Sequence, residues 1–348
     1  MAGNKRIDRI VASAEKLFGQ RVERVSAPGG SGRASFRVHL PDRMVIATLR
    51  PNFRRTHLEA FVLRRLEGQC DLQPRCLGVD GEIMFQSDVG GRRLNMEIAL
   101  AEPGQRLNLA AEAVASILRI QAAGRAAGLQ DAIPHLGQNR DWVENLARGP
   151  EMLAEYSEGR FLGLERDAFC SALDRPGRQF VKWDCRSGNA AIGGDGALRW
   201  FDFEYCGARH GAEDLAWLIG DEAWTVSPQD MERIVRDGFD PACGVPLEDY
   251  MGYLSLYLTF HCAQRLGLIV KEARKRGWLS KAKVRKYDDA GVHPEFAMQI
   301  CRVGRHFADR NSLTAPIARD YEEAERVFMD ILREGYARAG LLPEEMTA

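Results

Sequence analysis

Two short segments decide how this chain folds: VKWDCRSGN, residues 181–189, and WFDFEYC, residues 200–206. With the turn residues between them they form a strand, loop and strand pattern, with strands predicted over 180–183, 190–192 and 198–201. Helical periodicity surrounds this island on both sides. A polar hairpin held inside a helical region is a typical place for functional side chains, because loops on a rigid scaffold carry function more often than helices do.

The spacing within the island points to a particular chemistry. Asp184 lies five residues before Asn189, and Asp202 follows on the next predicted strand. Phosphoryl transfer needs one carboxylate beside the attacking hydroxyl, and an amide oxygen with a second carboxylate on magnesium. The apolar neighbours of Asp202 would fix it on a rigid strand end. The spacing therefore indicates phosphoryl transfer, with Asp184, Asn189 and Asp202 as the candidate residues for these tasks.

Residues 181–219 resemble the catalytic core of the aminoglycoside phosphotransferase and choline kinase superfamily. The FDFEY stretch at 201–205 and the EDLAW stretch at 213–217 are similar to the choline kinase form of the motif. The resemblance implies a protein-kinase-like fold, ATP and Mg²⁺ as cofactors, and phosphorylation of a small-molecule hydroxyl. It also implies that Asp184 is the catalytic base, and that Asn189 and Asp202 are the Mg²⁺ ligands. By the same resemblance, Asp214 is a structural residue that steadies the catalytic loop. One departure is Lys182, which stands where the family usually has His.

The first ninety residues predict an antiparallel sheet with helices over 5–18 and 54–66. Strands are expected over 21–27, 35–40, 44–49, 75–79 and 82–87, the last two joined by a hairpin at Asp80-Gly81. Between the first two strands lies a glycine-rich loop whose backbone N–H groups would cover phosphates. Its residues are Gly29, Gly30, Ser31 and Gly32.

Kinases also need a cation on the third strand, paired with a helix glutamate. This strand has no Lys, and Arg50 at its end is the candidate, with Glu59 as its partner. The alternative is that the two form a surface ion pair of little energetic value. The segment containing Ser87 and Val89 resembles the hinge between lobes, where the backbone would meet adenine.

The acceptor should bind to the helical part of the chain. A choline-like or ethanolamine-like amino alcohol would need aromatic faces and carboxylates around its cation. An aminoglycoside would instead need several carboxylates. A sugar is a third possible acceptor. Core packing is the alternative for each aromatic residue. The candidates are Glu204, Tyr205, Trp217 and Glu222, followed by Trp224, Tyr253, Tyr257, Glu213 and Asp221.

Composition sets limits on partners and compartment. The chain has 348 residues, a net charge of −1 and 45% hydrophobic residues, so no global field favours nucleic acid. No apolar run is long enough for a membrane span. Eight scattered cysteines without metal-ligand spacing favour a reducing, cytoplasmic location. A basic segment at 271–286 is a solvated helix end and loop, or a contact for an anionic partner.

We expect an α+β, bilobal protein-kinase-like fold, with a sheet-rich N-lobe at 1–91 and a helical C-lobe at 92–348. Helices are expected over 108–128, 139–157, 164–174, 211–222, 228–238, 247–276, 294–309 and from about 315. ATP would lie between the lobes. The rival hypothesis is a pseudokinase that binds nucleotide as a scaffold protein. The sequence leaves open the acceptor, the choice of ATP or GTP, and the oligomeric state.

Overall fold

The computed structural model describes residues 2–27, 34–157, 166–175, 177–287 and 289–339. The Gly29, Gly30, Ser31 and Gly32 loop lies outside these ranges, so its role in phosphate binding stays a prediction.

Five antiparallel strands near the N-terminus form one sheet: Arg24–Ser26 (β1), Ser35–His39 (β2), Met44–Leu49 (β3), Cys76–Asp80 (β4) and Ile83–Ser87 (β5). Their order is β1-β2-β3-β5-β4. The predicted hairpin between β4 and β5 is confirmed, with Gly81 in the left-handed region at φ 59°.

Successive side chains along these strands point to opposite faces of the sheet, so the two faces differ in composition. Side chains such as Phe36, Val38 and Ala47 join one apolar cluster with Ile10 and Ala14 of helix α1, Ala2–Phe18. The residues between them on β2 and β3 point the other way. Helix α2, Phe53–Leu66, follows β3 and begins at Asn52, whose side chain accepts a hydrogen bond from Arg54 N at 3.1 Å.

The rest of the described chain is mainly helical. The long helix at Leu247–Arg276 is buried over much of its circumference. The helices at Ala212–Ile219 and Pro294–Ala308 and the turn at 149–155 pack around it. The helices are Leu94–Leu100 (α3), Pro103–Ala126 (α4), Arg140–Ala147 (α5), Arg166–Leu173 (α6), Ala212–Ile219 (α7), Pro228–Gly238 (α8), Leu247–Arg276 (α9), Lys281–Tyr287 (α10), Pro294–Ala308 (α11) and Ala318–Ala339 (α12).

Two small sheets lie within this helical part and carry the 181–206 island. Arg92–Arg93 (β6), Ala190–Ile192 (β8) and Leu198–Trp200 (β9) form one, in the order β6-β8-β9. Gln179–Val181 (β7) pairs antiparallel with Gly207–Arg209 (β10). The predicted strand, loop and strand is therefore confirmed, and β10 completes it. Short 3₁₀ turns lie at Leu129–Asp131, Gly149–Glu155, Ser187–Asn189, Pro241–Cys243 and Ala315–Ile317.

Several predicted helix boundaries were wrong. The helix expected over 139–157 ends at Ala147, because Pro150 has no N–H to donate and disfavours helical backbone before it. The helix expected over 211–222 ends at Ile219 and is capped by Gly220, so Asp221 and Glu222 lie beyond it in a turn. Helices α3 and α10 were missed, since each is only two turns long. Among the described residues, no helix has the length and apolar character that crossing a membrane requires.

Candidate active site

The island brings Asp184, Asn189 and Asp202 to one place. Strand β7 leads into the loop at 182–189, and Phe201 N donates to Asn189 O at 3.0 Å, which joins the loop to the segment that carries Asp202. The backbone is strained here: Trp183, Asp184 and Asp202 have φ of 59°, 50° and 63°. No other described residue except glycine has a positive φ. Such strain gathers at functional sites, where surrounding structure holds it.

Asp184 is held by two side chains of its own loop. Arg186 Nε donates to its Oδ1 at 2.8 Å, and Asn189 Nδ2 donates to its Oδ2 at 3.0 Å. The side chain of Asp184 is only 16% exposed. Its carboxylate is therefore held at both oxygens, while the side chain keeps a small exposure to solvent.

Asn189 and Asp202 fit the predicted magnesium site. The amide nitrogen of Asn189 faces Asp184, at 3.0 Å from both its Oδ2 and its backbone oxygen, so the amide oxygen points elsewhere. A carboxylate and an amide oxygen suit Mg²⁺, which takes one or two protein ligands together with substrate phosphates. Within the described ranges, no group of three or more His, Cys, Asp and Glu side chains could hold a metal ion.

Arg50 connects the N-terminal sheet to this site. Its NH2 group donates to Asp202 Oδ1 at 2.7 Å, its Nε lies 3.0 Å from Glu204 Oε2, and its NH1 group donates to Glu59. Glu59 also accepts a hydrogen bond from Phe203 N at 2.9 Å. One guanidinium thus contacts three carboxylates drawn from two parts of the chain.

The Arg50–Glu59 pair is buried, so the alternative of a surface pair was wrong. Arg50 is 5% exposed at its side chain and Glu59 is fully buried. Burial opposes the charge of Arg50, but the three carboxylates outweigh it and raise the pKa of Arg50. Burial raises the pKa of Glu59, while Arg50 and the Phe203 amide act against that rise.

Asp214, near the start of α7, contacts the loop at 182–189. Its Oδ2 accepts from Lys182 N at 3.0 Å and from Gln121 at 3.0 Å, and its Oδ1 accepts from Trp183 N at 2.8 Å. Burial raises the pKa of Asp214 to about 6, against the effect of these hydrogen bonds. The loop-steadying role of Asp214 stays a prediction, and these are the hydrogen bonds through which it would act.

Sequence reasoning missed Arg186. This side chain is 17% exposed, pairs with Asp184, and acts electrostatically on Asp221 and Glu222. Its position two residues after Asp184 was the available signal. A single arginine in a chain with 48 Lys and Arg residues does not stand out by type alone.

The predicted acceptor residues fall into two groups. Glu204 and Tyr205 lie at the N-terminal sheet: Glu204 contacts Arg50 and, at 3.6 Å, Arg55. Arg55 stacks over the Tyr205 ring at 4.2 Å and donates to its hydroxyl at 2.8 Å. These two residues therefore adjoin Asp202 and the N-terminal part of the chain.

Trp217 lies instead in an aromatic cluster next to Asp184. The Trp183 ring is 6.0 Å from Trp217, 5.9 Å from Trp142 and 6.4 Å from Tyr257. Trp183 and Trp217 are half-buried, so part of this cluster reaches the surface. Tyr253 packs on Tyr257, whereas Trp224 is buried in the core.

The carboxylates near Trp217 are engaged inside the protein. Glu222 is 2% exposed, pairs with Arg265 at 2.5 Å and accepts from Gly291 N at 2.8 Å. Asp221 accepts from Ser187 N at 2.8 Å. Glu213 is fully buried against Arg209 at 2.8 Å and accepts from the Tyr253 hydroxyl at 2.7 Å.

The remaining predicted residues are also placed. Ser87 ends β5, and its hydroxyl accepts from Arg75 N at 2.9 Å, while Val89 is buried beside it.

In the basic segment at 271–286, cations pair with neighbouring carboxylates: Arg276 with Asp289 at 2.6 Å, and Lys281 with Glu295. This segment includes α10 except its last residue, and Arg285 O accepts from Asn95 of α3 at 3.0 Å.

Comparison with known proteins identifies the fold. No protein-family model and no curated protein sequence matches the chain. Among solved structures, the GDP and kanamycin complex of APH(2″)-IIia is 16% identical, with a TM-score of 0.51 over 80% of this chain and 98% of that one.

Macrolide 2′-phosphotransferase MphH from Brachybacterium faecium is 14% identical, with a TM-score of 0.50 over 80% of this chain and 97% of that one. Spectinomycin phosphotransferase APH(9)-Ia, in complex with ADP and spectinomycin, is 10% identical, with a TM-score of 0.50 over 91% and 98%. The chain therefore shares the fold of these solved phosphotransferases, an α+β arrangement with a small antiparallel sheet and a mainly helical remainder, as its sequence predicted.

Proposed function

We propose that this protein is a phosphotransferase that moves the terminal phosphoryl group of ATP to a hydroxyl of a small molecule, with Mg²⁺ as cofactor. The observation that carries the proposal is the meeting of Asp184, Asn189 and Asp202 with a buried arginine. Arg50 reaches Asp202 across 152 positions of sequence, at 2.7 Å. Chance turn residues would not be expected to converge in this way.

In this mechanism Asp184 receives the proton of the acceptor hydroxyl and aims its oxygen at the phosphorus atom. Arg186 and Asn189 hold the carboxylate in that orientation from its two oxygens. Little covalent chemistry is required of the protein, so positioning and electrostatic stabilisation supply most of the rate.

Asn189 and Asp202 are the residues that would hold magnesium. A bound ion would neutralise negative charge on the phosphate oxygens. Arg50, held by Glu59, places a permanent positive charge beside Asp202. Its guanidinium could also bind a phosphate group of the nucleotide. The proposed division is an N-lobe at 1–91 and a C-lobe at 92–348, with the Gly29–Gly32 loop and the backbone near Ser87 and Val89 enclosing the nucleotide.

The carboxylates near Trp217 limit which kind of acceptor can bind. Glu213, Asp221 and Glu222 all have internal partners, which counts against an acceptor with several ammonium groups. The half-buried rings of Trp183 and Trp217 favour an amino alcohol or a sugar, either of which can lie against an aromatic face. All eight cysteines are free thiols, which supports the proposed cytoplasmic location.

Thermal unfolding with and without Mg-ATP or Mg-GTP tests the nucleotide site. A ligand at one hundred times its Kd stabilises the native state by about 2.7 kcal/mol. We expect a magnesium-dependent rise in the native chain that is lost in Asp202→Asn. Choline, ethanolamine, sugars and kanamycin then serve as acceptors in a turnover assay, with Asp184→Asn as the inactive control. Nucleotide binding without turnover for any acceptor would favour the pseudokinase, and no binding of either nucleotide would contradict both.

A further inference from the structure

Lys182 is a buried cation at the centre of the candidate site. Its residue is 1% exposed, although lysine is rarely buried without a carboxylate partner. The ammonium group instead contacts backbone oxygens: Asp202 O at 3.1 Å, Asp184 O at 3.3 Å and, less closely, Trp183 O at 3.5 Å. It also lies 5.3 Å from the centre of the Phe203 ring.

The three carbonyl groups around this ammonium belong to a special set of residues. Trp183, Asp184 and Asp202 are the same three non-glycine residues of the described chain whose φ is positive. A left-handed backbone costs an ordinary residue about 1 kcal/mol or more and persists only when its surroundings impose it. A single positive charge at the point where the three carbonyl dipoles converge supplies such a constraint.

The opposite side of the loop is held by a negative charge. Asp214 accepts hydrogen bonds from the N–H groups of Lys182 and Trp183, at 3.0 and 2.8 Å. The loop is thus fixed at its N–H groups by a carboxylate and at its carbonyl groups by an ammonium. Only the ammonium also reaches across to the Asp202 segment.

We propose that Lys182 is a positioning residue that locks Asp184 and Asp202 in register with each other. It contacts neither the nucleotide nor the acceptor and acts through the backbone that carries both carboxylates. The proposal rests on the proposed function for its kinetic consequences, because register between the two carboxylates matters for phosphoryl transfer. Its structural part stands on the contacts of Lys182 alone.

Lys182→Met keeps the length of the side chain and removes its charge. We expect kcat to fall about 10²-fold, as a misplacement of about 1 Å at a reacting centre produces. The magnesium concentration for half-maximal activity should rise several-fold, with the acceptor KM changed less than about threefold. Amide hydrogen exchange should accelerate about tenfold in 182–190 and 200–206 and remain unchanged in α11 and α12. Lys182→Arg should recover at least part of the lost kcat.

Two variants serve as controls. Lys275→Met makes the same chemical change on the exposed end of α9 and should alter none of these readings. Tyr321→Phe removes a buried hydroxyl that donates to Thr259 O, far along the chain, and reports the effect of lost stability alone.

Unchanged exchange in both segments of Lys182→Met would overturn the proposal. Accelerated exchange throughout the chain, like that of Tyr321→Phe, would also overturn it by showing a general structural role. If the native chain transfers no phosphoryl group, the proposed function fails, while the exchange data still decide whether Lys182 locks the two segments.

Discussion

Replacing Glu59 by Gln removes one buried negative charge and keeps the shape of the side chain. Glu59 accepts hydrogen bonds from Arg50 and from Phe203 N, and it is fully buried. Gln retains one oxygen for the Phe203 amide. The change therefore isolates the charge pair with Arg50, which joins the N-terminal sheet to the Asp202 segment.

The size of the effect follows from burial. Removing one partner of a buried ion pair costs about 3–5 kcal/mol, because the other charge is left without compensation. Arg50 keeps Asp202 and Glu204 as partners, so we expect the lower end, about 3 kcal/mol of the free energy of unfolding. At about 2 °C per kcal/mol for a chain of this size, the melting temperature should fall by about 6 °C.

Urea-induced unfolding followed by circular dichroism measures this loss. Glu82→Gln is the matched control, since Glu82 pairs with Arg9 at 2.8 Å and both side chains are at least half exposed. Exposed pairs contribute about 0.2–1 kcal/mol. If Glu59→Gln costs no more than Glu82→Gln, the argument that burial makes the Arg50 pair structurally important is refuted.

Two further variants test other buried groups. Burial lowers the pKa of His261 to about 3 from its ordinary 6.5, so its contribution to stability is complete above pH 6.5 and is lost as the pH falls toward 3. On going from pH 7 to pH 4, the native chain should lose about 3 kcal/mol more of its free energy of unfolding than His261→Gln does. Urea unfolding at both pH values measures the two losses, and equal losses would contradict this prediction. Glu222→Gln should lower the free energy of unfolding by about 3 kcal/mol through its pair with Arg265, and leave the acceptor KM within about threefold. A large rise in KM without loss of stability would instead assign Glu222 to the acceptor.

The residues of the candidate site could be selected from sequence because their evidence is local. Asp184, Asn189 and Asp202 lie within 19 positions of one another, and strand patterning places them on neighbouring strand ends. Arg50 and Glu59 were found from their positions at the end of a strand and within the next helix. Helix boundaries were less predictable, because the ends of α5 and α7 depend on a single Pro or Gly that periodicity does not weigh.

The acceptor side was harder to predict. Glu222 carries the charge expected of a substrate-binding carboxylate, yet it is paired with Arg265, 43 positions away. Glu213 is also engaged by other residues: it pairs with Arg209 of β10, four positions before it, and accepts a hydrogen bond from Tyr253 of α9, 40 positions away. Sequence identifies a charged residue, but the nearest opposite charge depends on which helices pack together.

By itself the sequence determined the fold class and selected Asp184, Asn189 and Asp202 as candidates, because periodicity and short-range spacing are properties of the local chain. Only the tertiary structure decided which charges meet. It placed Arg50 among three carboxylates and Lys182 among three strained carbonyl groups. The physical reason is that electrostatic and hydrogen-bond energies depend on distance and burial in space, and residues up to 190 positions apart set both.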